Sequence, residues 1–310
     1  METKKLFILS AVLIVLLVSC TVQDGTERGF FGSKQPKQES AYVGLKGVEI
    51  SLENPGLLKV TKGDSIFFDL RVENLGWADT TVNLYASGFD PSFVSYKQFK
   101  NSVQLKGKSG VSDAVIPGDW DIVSFESNPV STPGLQFPQN TVITACFPYM
   151  TQITYATCVD ANADGQCTLG VSNNALTQGQ GAPVAIDSIT STSTRKAGNM
   201  VRLTFTISLS QKDIENGAQI VRKTKLQDAC SGKPLDQYRD FGIINIDEVK
   251  LGTTALTCLP KETLNLENQK SITCYTDAQS RSDLASALVL KLSYGVKKQV
   301  TKPITIISTE

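Results

Sequence analysis

The amino-acid sequence predicts an all-β protein built from two β-sandwich domains in tandem. Three observations carry that prediction. Stretches with an apolar residue at every second position recur at intervals of about 8–12 residues, with Gly, Pro and Asn turns between them, which is the rhythm of sandwich strands. Helical periodicity is weak: Gln211–Gly217 and Asp277–Ala287 are the only short helical stretches, and neither has an amphipathic face. The chain has 310 residues, more than the roughly 250 at which single cores stop growing, and its 41% hydrophobic content gives each of two domains a core of its own.

The chain opens on an export segment. Lys4 and Lys5 precede an almost unbroken apolar run, Leu6–Val18. At about 13 residues the run is short of the roughly 17–25 that span a bilayer. A charged start followed by a short apolar run reads as a signal peptide over residues 1–19. The run ends in Leu17-Val18-Ser19-Cys20, which resembles a lipobox. Small side chains suit the signal peptidase, and the Cys20 thiol is the only strong nucleophile nearby to carry a lipid. An uncleaved anchor and a plain secretory signal are the competing readings. Residues 20–41 are polar, with Gly25, Gly29, Gly32 and Pro36, and read as a flexible tether reaching about 25 Å. Phe30-Phe31 is the apolar exception within it.

The first domain is placed at 42–175. Val48-Glu-Ile50-Ser-Leu52 alternates, Asn54-Pro-Gly56 turns, Ser65–Glu73 is β-rich, and Thr80–Tyr85 alternates again. Pro117-Gly118 and Pro133-Gly134 are further turns. Val142–Cys146 and Ile153–Cys158 read as a hairpin turning near Met150-Thr151-Gln152. Leu176–Pro183 (LTQGQGAP) is taken as the linker. The second domain, 184–310, begins with the clear alternation Val201-Arg-Leu203-Thr-Phe205-Thr-Ile207-Ser-Leu209, which has one face buried and one wet. Ile243–Val249, Leu256–Cys258, Ser271–Tyr275, Leu288–Tyr294 and Ile304–Ile307 complete it.

With Cys20 set aside, six cysteines remain: Cys146, Cys158, Cys167, Cys230, Cys258 and Cys274. An even number in an exported chain points to disulfides. They form two groups of three, so either one thiol per group stays free or one bridge joins the groups. Cys146–Cys158 and Cys158–Cys167 compete in the first group, and Cys258–Cys274 is favoured in the second. The absence of a C-x-x-C pair argues against zinc.

Several segments resemble archaeal cell-surface proteins of the S-layer-associated type, which carry immunoglobulin-like sandwich domains and often a lipobox. The matching residues are Thr61-Lys-Gly-Asp64, Arg71-Val-Glu-Asn-Leu-Gly76, Ser87-Gly-Phe-Asp-Pro91, Cys146-Phe-Pro-Tyr149 and Cys158-Val-Asp160. Cys258-Leu-Pro260, Ile272-Thr-Cys274 and Leu290-Lys-Leu-Ser-Tyr-Gly295 extend the match into the second domain. The resemblance implies tandem immunoglobulin-like domains and a surface location, and it carries no catalytic motif.

Composition narrows the chemistry. A chain without histidine cannot form a Ser-His-Asp triad, a Cys-His dyad or a His-ligated metal. The formal net charge is zero, and removal of residues 1–19 leaves the chain near neutral, so no nucleic-acid partner is implied. Lys59, Lys62, Lys97, Lys100, Lys106 and Lys108, with Tyr96 and Phe99 among them, read as a solvated face. Asp160-Ala-Asn162-Ala-Asp164-Gly165 fits the start of a calcium loop, but Val171 stands where the bidentate Glu belongs. Asp160, Asn162 and Asp164 are therefore candidates for weak Ca²⁺ binding only, against an acidic turn closed by a disulfide. Trp77 and Trp120 each stand beside acidic residues, a pattern that suits either sugar stacking or packing at a sheet edge. No motif frames a carboxylate pair for glycosidase chemistry.

The expectation is a non-enzymatic protein on the extracellular face of the cell membrane, held there by a lipid or by its N-terminal apolar segment. Its role would be structural, adhesive or protein-binding, with another envelope protein as partner. The alternatives are a solute- or glycan-binding lipoprotein and an accessory subunit of a membrane-embedded envelope complex.

Overall fold

The computed structural model describes residues 43–99, 101–110, 114–160, 176, 179–279 and 284–308. The export segment, Cys20 and the tether therefore lie outside the described residues. The N-terminal half holds β1 (Val48–Leu52), β2 (Leu58–Thr61), β3 (Ser65–Asn74), β4 (Thr80–Ser87), β5 (Tyr96–Phe99), β6 (Ser102–Leu105), β7 (Trp120–Pro129) and β8 (Gln136–Val159). The C-terminal half holds β9 (Val184–Lys196), β10 (Met200–Gln211), β11 (Gln219–Val221), β12 (Ile243–Leu251), β13 (Thr254–Ala255), β14 (Thr257–Leu259), β15 (Thr263–Asn265), β16 (Ser271–Gln279) and β17 (Leu284–Ile307). Two short helices, α1 (Leu226–Cys230) and α2 (Gln237–Asp240), stand between β11 and β12. The protein is all-β, as the alternating segments predict.

Two four-stranded sheets, β1-β3-β7-β5 and β14-β16-β10-β9, accompany a nine-stranded one. The large sheet runs β13-β12-β17-β8-β4-β6, with β2 and β11 added on β17 and β15 on β12. Its centre is the antiparallel pair β8–β17, in register over 24 residues from Gln136↔Ile307 to Val159↔Leu284. At about 3.4 Å per residue that pair is roughly 80 Å long.

The long pair corrects the hairpin expectation. Val142–Cys146 and Ile153–Cys158 are one strand, because the inward alternation of Ile143, Ala145, Phe147, Tyr149 and Thr151 never breaks. Thr151, expected in the turn, is fully buried. Leu288–Tyr294 and Ile304–Ile307 are likewise one strand. The stretch between them looked like a loop because Lys298 and Lys302 occupy inward positions, 1% and 3% exposed.

The described residues do not divide at the expected linker. β17 pairs through its first half with β12 and through its last residues with β2, so the C-terminal strand serves both halves of the chain. Glu39–Glu310 is one compact unit, and one apolar cluster runs from Val48 to Ile306. The expected linker is interior where it is described: Gln180 is 4% exposed and Ala182 is fully buried. Gln180 acts as a surrogate strand partner for Ile186, accepting from its N–H at 2.6 Å and donating to its carbonyl at 3.3 Å. Polar composition suggested solvent, but here the amide groups answer the backbone hydrogen-bonding needs of buried chain. Of the two helical stretches, Gln211–Gly217 contains a 3₁₀ turn at Asp213–Asn216. The described parts of Asp277–Ala287 are strand.

Candidate functional site

The waist, where the two halves of the long pair meet, concentrates the buried polar groups. Strand β3 ends at Asn74, whose side chain turns back to donate to Ala78 O (2.8 Å) and to accept from Gly76 N (3.1 Å). Tyr149 OH reaches Asn74 Oδ1 (3.2 Å) and Gly181 O (3.3 Å). A Cβ on Gly76 would lie 1.9 Å from that hydroxyl, which explains why the Asn-Leu-Gly motif ends in glycine. On the other side, Thr151 Oγ1 donates to Val184 O (2.6 Å), and Tyr294 OH accepts from Val184 N (3.2 Å). Thr151 has spent its one proton, so Tyr294 donates across their 2.9 Å contact. Burial pushes both phenols well above the ordinary tyrosine range.

One disulfide lies on β8 near the waist and another in the β14-β16-β10-β9 sheet. Cys146 pairs with Cys230, 84 residues away, so one bridge does join the two cysteine groups. The Cys146–Cys158 alternative fails because both sit on β8, 12 residues or about 40 Å apart. Cys230 ends α1, and the bridge lays that helix on the outer face of the large sheet. There Ala229, Val221, Leu226 and Phe241 pack around the sulfurs. Cys258 and Cys274 are directly opposite on β14 and β16 and are bridged. Cys158 is also disulfide-bonded, and Cys167 lies outside the described residues.

The outer face of β1-β3-β7-β5 carries exposed apolar side chains. Phe67 and Trp120 are each 56% exposed and Ile122 is 37% exposed. The Arg71 guanidinium lies 4.5 Å above the Trp120 ring and pairs with Glu73 at 2.9 Å. The register places Glu73 opposite Trp120 and Arg71 opposite Ile122, so all four side chains share one face. Asp119 and Asp121 do not flank the ring as a sugar platform: Asp119 accepts from Lys106 N, and Asp121 from Ile122 N. Trp77 packs against the core. Among the basic candidates, Lys97 is paired with Glu126 at 3.0 Å, and Phe99 stands edge-on to Phe125 inside. A second aromatic–arginine group lies on β10 and β16, where Arg202 covers Tyr275 and makes a two-pronged bond to Asp277. Arg202 and Lys196 hold the Asp277 carboxyl well below the usual carboxylate range.

A cleft of about 610 Å³ opens beside the 3₁₀ turn. Ile220, Phe241 and Leu266 line it, with Gln237, Glu267 and Lys270 among its polar groups. Of the calcium candidates, Asp160 is half-buried just past β8, whereas Asn162 and Asp164 are outside the described residues.

No family model matches the chain, and no curated protein matches it. Among solved structures, the ASH/PapD-like domain of human CEP192 (PapD-like domain 7) is 15% identical. The match covers 39% of this chain and 83% of that one, at a TM-score of 0.17. A likeness of that degree carries no argument, and the β-sandwich assignment rests on the strands themselves.

Proposed function

We propose that this chain is an exported, membrane-anchored surface protein that docks another envelope protein through the sheet face around Trp120. The observation that carries the reading is the exposed Trp120–Ile122 pair with Arg71 laid over the indole. Trp and Arg dominate the energetics of protein interfaces, because they bring large area and directional bonds at low entropic cost. Disulfides suit the oxidising side of a membrane. The shared β8–β17 pair supports a structural role, since it holds this face at a fixed place relative to the rest of the protein. The test is chemical cross-linking on intact cells with wild type and a Trp120→Ala/Arg71→Ala variant. Loss of one defined cross-linked neighbour supports the reading. An unchanged cross-link pattern from a normally disulfide-bonded variant refutes it.

The cleft favours a second reading, a solute- or glycan-binding lipoprotein. Its volume lies within the range of small-molecule sites, and it combines an apolar floor with amide and charged groups. Glycan-array binding that is abolished by Phe241→Ala but kept by Trp120→Ala would select this reading over the first.

A further inference from the structure

We propose that Lys298 and Asp213 become joined by an intramolecular isopeptide bond, with Glu49 as the proton carrier. The three residues come from separate elements: Lys298 from β17, Asp213 from the start of the 3₁₀ turn after β10, and Glu49 from β1. Lys298 Nζ lies 2.6 Å from Asp213 Oδ2, and the two side chains are 1% and 0% exposed. The approach is close, but it lacks hydrogen-bond alignment. Lys298 does donate a hydrogen bond to Glu49 Oε2, at 3.1 Å.

The surroundings favour condensation over a lasting ion pair. Lys298 faces inward opposite Ala145, and its same-face neighbour Val296 is fully buried. Water is therefore scarce around both the nucleophile and the departing group. A dry site suits a reaction that removes both charges and expels one water. Within the proposed step, proton transfer in the pair gives a free amine and a carboxylic acid, with Nζ 2.6 Å from the Oδ2 of the carboxyl it attacks. Glu49 is suited to move the protons. It lies 3.1 Å from the amine, is partly open to solvent, and is also paired with Lys46 at 3.3 Å.

The step balances without a co-reactant. The Lys298 Nζ lone pair attacks the Asp213 carboxyl carbon and forms the C–N bond. Glu49 takes a proton from nitrogen and returns it to the departing hydroxyl, the C–O bond breaks, and one water leaves. The product amide ties β17 to the chain just after β10 at the waist. The bond requires neither docking at the Trp120 face nor ligand binding in the cleft, although Asp213 begins the 3₁₀ turn that borders that cleft.

The experiment is peptide mapping of the full-length protein after reduction, alkylation and trypsin digestion. The expected species is peptide 213–222 joined through Lys298 to peptide 298–310, lighter by one water than the two together. Lys298→Ala and Asp213→Ala should each abolish it. Glu49→Gln retains both reacting groups and should leave them unjoined in a folded, disulfide-bonded chain. Recovery of 213–222 as a free peptide from the wild type, with cleavage after Lys298, would overturn the proposal and leave a buried ion pair.

Discussion

Tyr149 and Tyr294 are direct register partners on β8 and β17, both buried, and their hydroxyls serve opposite sides of the waist. Tyr149 OH reaches Asn74 and Gly181, and Tyr294 OH serves Thr151 and Val184. One pair of cross-strand neighbours thus closes the polar groups of both halves, at the point where two separate domains would have had a linker.

The two hydroxyls are unequal in what they leave behind. In Tyr294→Phe, Val184 N loses its acceptor in a buried site, and Thr151 Oγ1 loses a donor. In Tyr149→Phe, Asn74 Oδ1 keeps Gly76 N, and Gly181 O keeps Trp77 N. Orphaning a buried group costs about 1–3 kcal/mol, whereas an average hydrogen bond contributes about 1 kcal/mol. Denaturant titration should therefore show a larger midpoint drop for Tyr294→Phe than for Tyr149→Phe. Equal shifts would mean that water or backbone movement satisfies Val184.

Both phenols have folded pKa values raised by burial above the ordinary tyrosine value of about 10. The folded state then holds protons that the unfolded state releases, so the stability they confer is intact below about pH 10 and falls as pH rises further. Absorbance titration of the eight tyrosines should show two that ionise only together with loss of the β-sheet circular dichroism signal. Smooth ionisation of all eight before unfolding would contradict the burial of this pair.

Gly76 tests the same waist from the backbone. A methyl group there meets Tyr149 OH at 1.9 Å and Gly181 O at 2.2 Å, and neither belongs to a free surface chain. Overpacking of this kind costs roughly 1–3 kcal/mol. Gly76→Ala should lower the unfolding midpoint accordingly, and Tyr149→Phe should relieve part of the loss when combined with it. Strict additivity would show that the clash is relieved elsewhere.

The two described bridges differ in the chain they enclose. In the chain-entropy account, closing 84 residues (Cys146–Cys230) stabilises by about 4–5 kcal/mol, and closing 16 (Cys258–Cys274) by about 3 kcal/mol. Serine pairs replacing each bridge should rank in that order by thermal unfolding. The reverse order would show that strand pairing at β14–β16 depends on its bridge more than α1 depends on Cys230.

The alternation of β1, β3, β4 and β10 was legible in the sequence because each has a wet face and a dry one. The long strands were not. β17 places Lys298 and Lys302 at inward positions, and Lys302 uses its ammonium to cap Asn54 O and Gly56 O instead of presenting an apolar chain. β8 reads as two short strands because Pro148 and the Met150-Thr151-Gln152 stretch interrupt its pattern, although Thr151 is buried. Trp120 was singled out by its acidic neighbours, but its partner is Arg71, which the register supplies and local sequence cannot show. The Lys298–Asp213–Glu49 group spans nearly the whole described chain, so no local motif announces it.

The shared strand makes a last prediction about autonomy. A tandem protein should yield folded halves. Here a fragment of residues 42–175 retains β8 but loses β17, which hydrogen-bonds β8 along its full length and also carries β2. Its inward face, from Ile143 to Tyr149, would lose the cross-strand neighbours Tyr294, Val296 and Val300. Unpaired central strands expose both apolar surface and backbone polar groups, and the resulting cost exceeds the usual stability margin. The 42–175 fragment should lack dispersed amide resonances alone and gain them when 184–310 is added in equal amount. A well-dispersed spectrum from 42–175 by itself would restore the tandem description and reduce the β8–β17 pair to an interface between two independent domains.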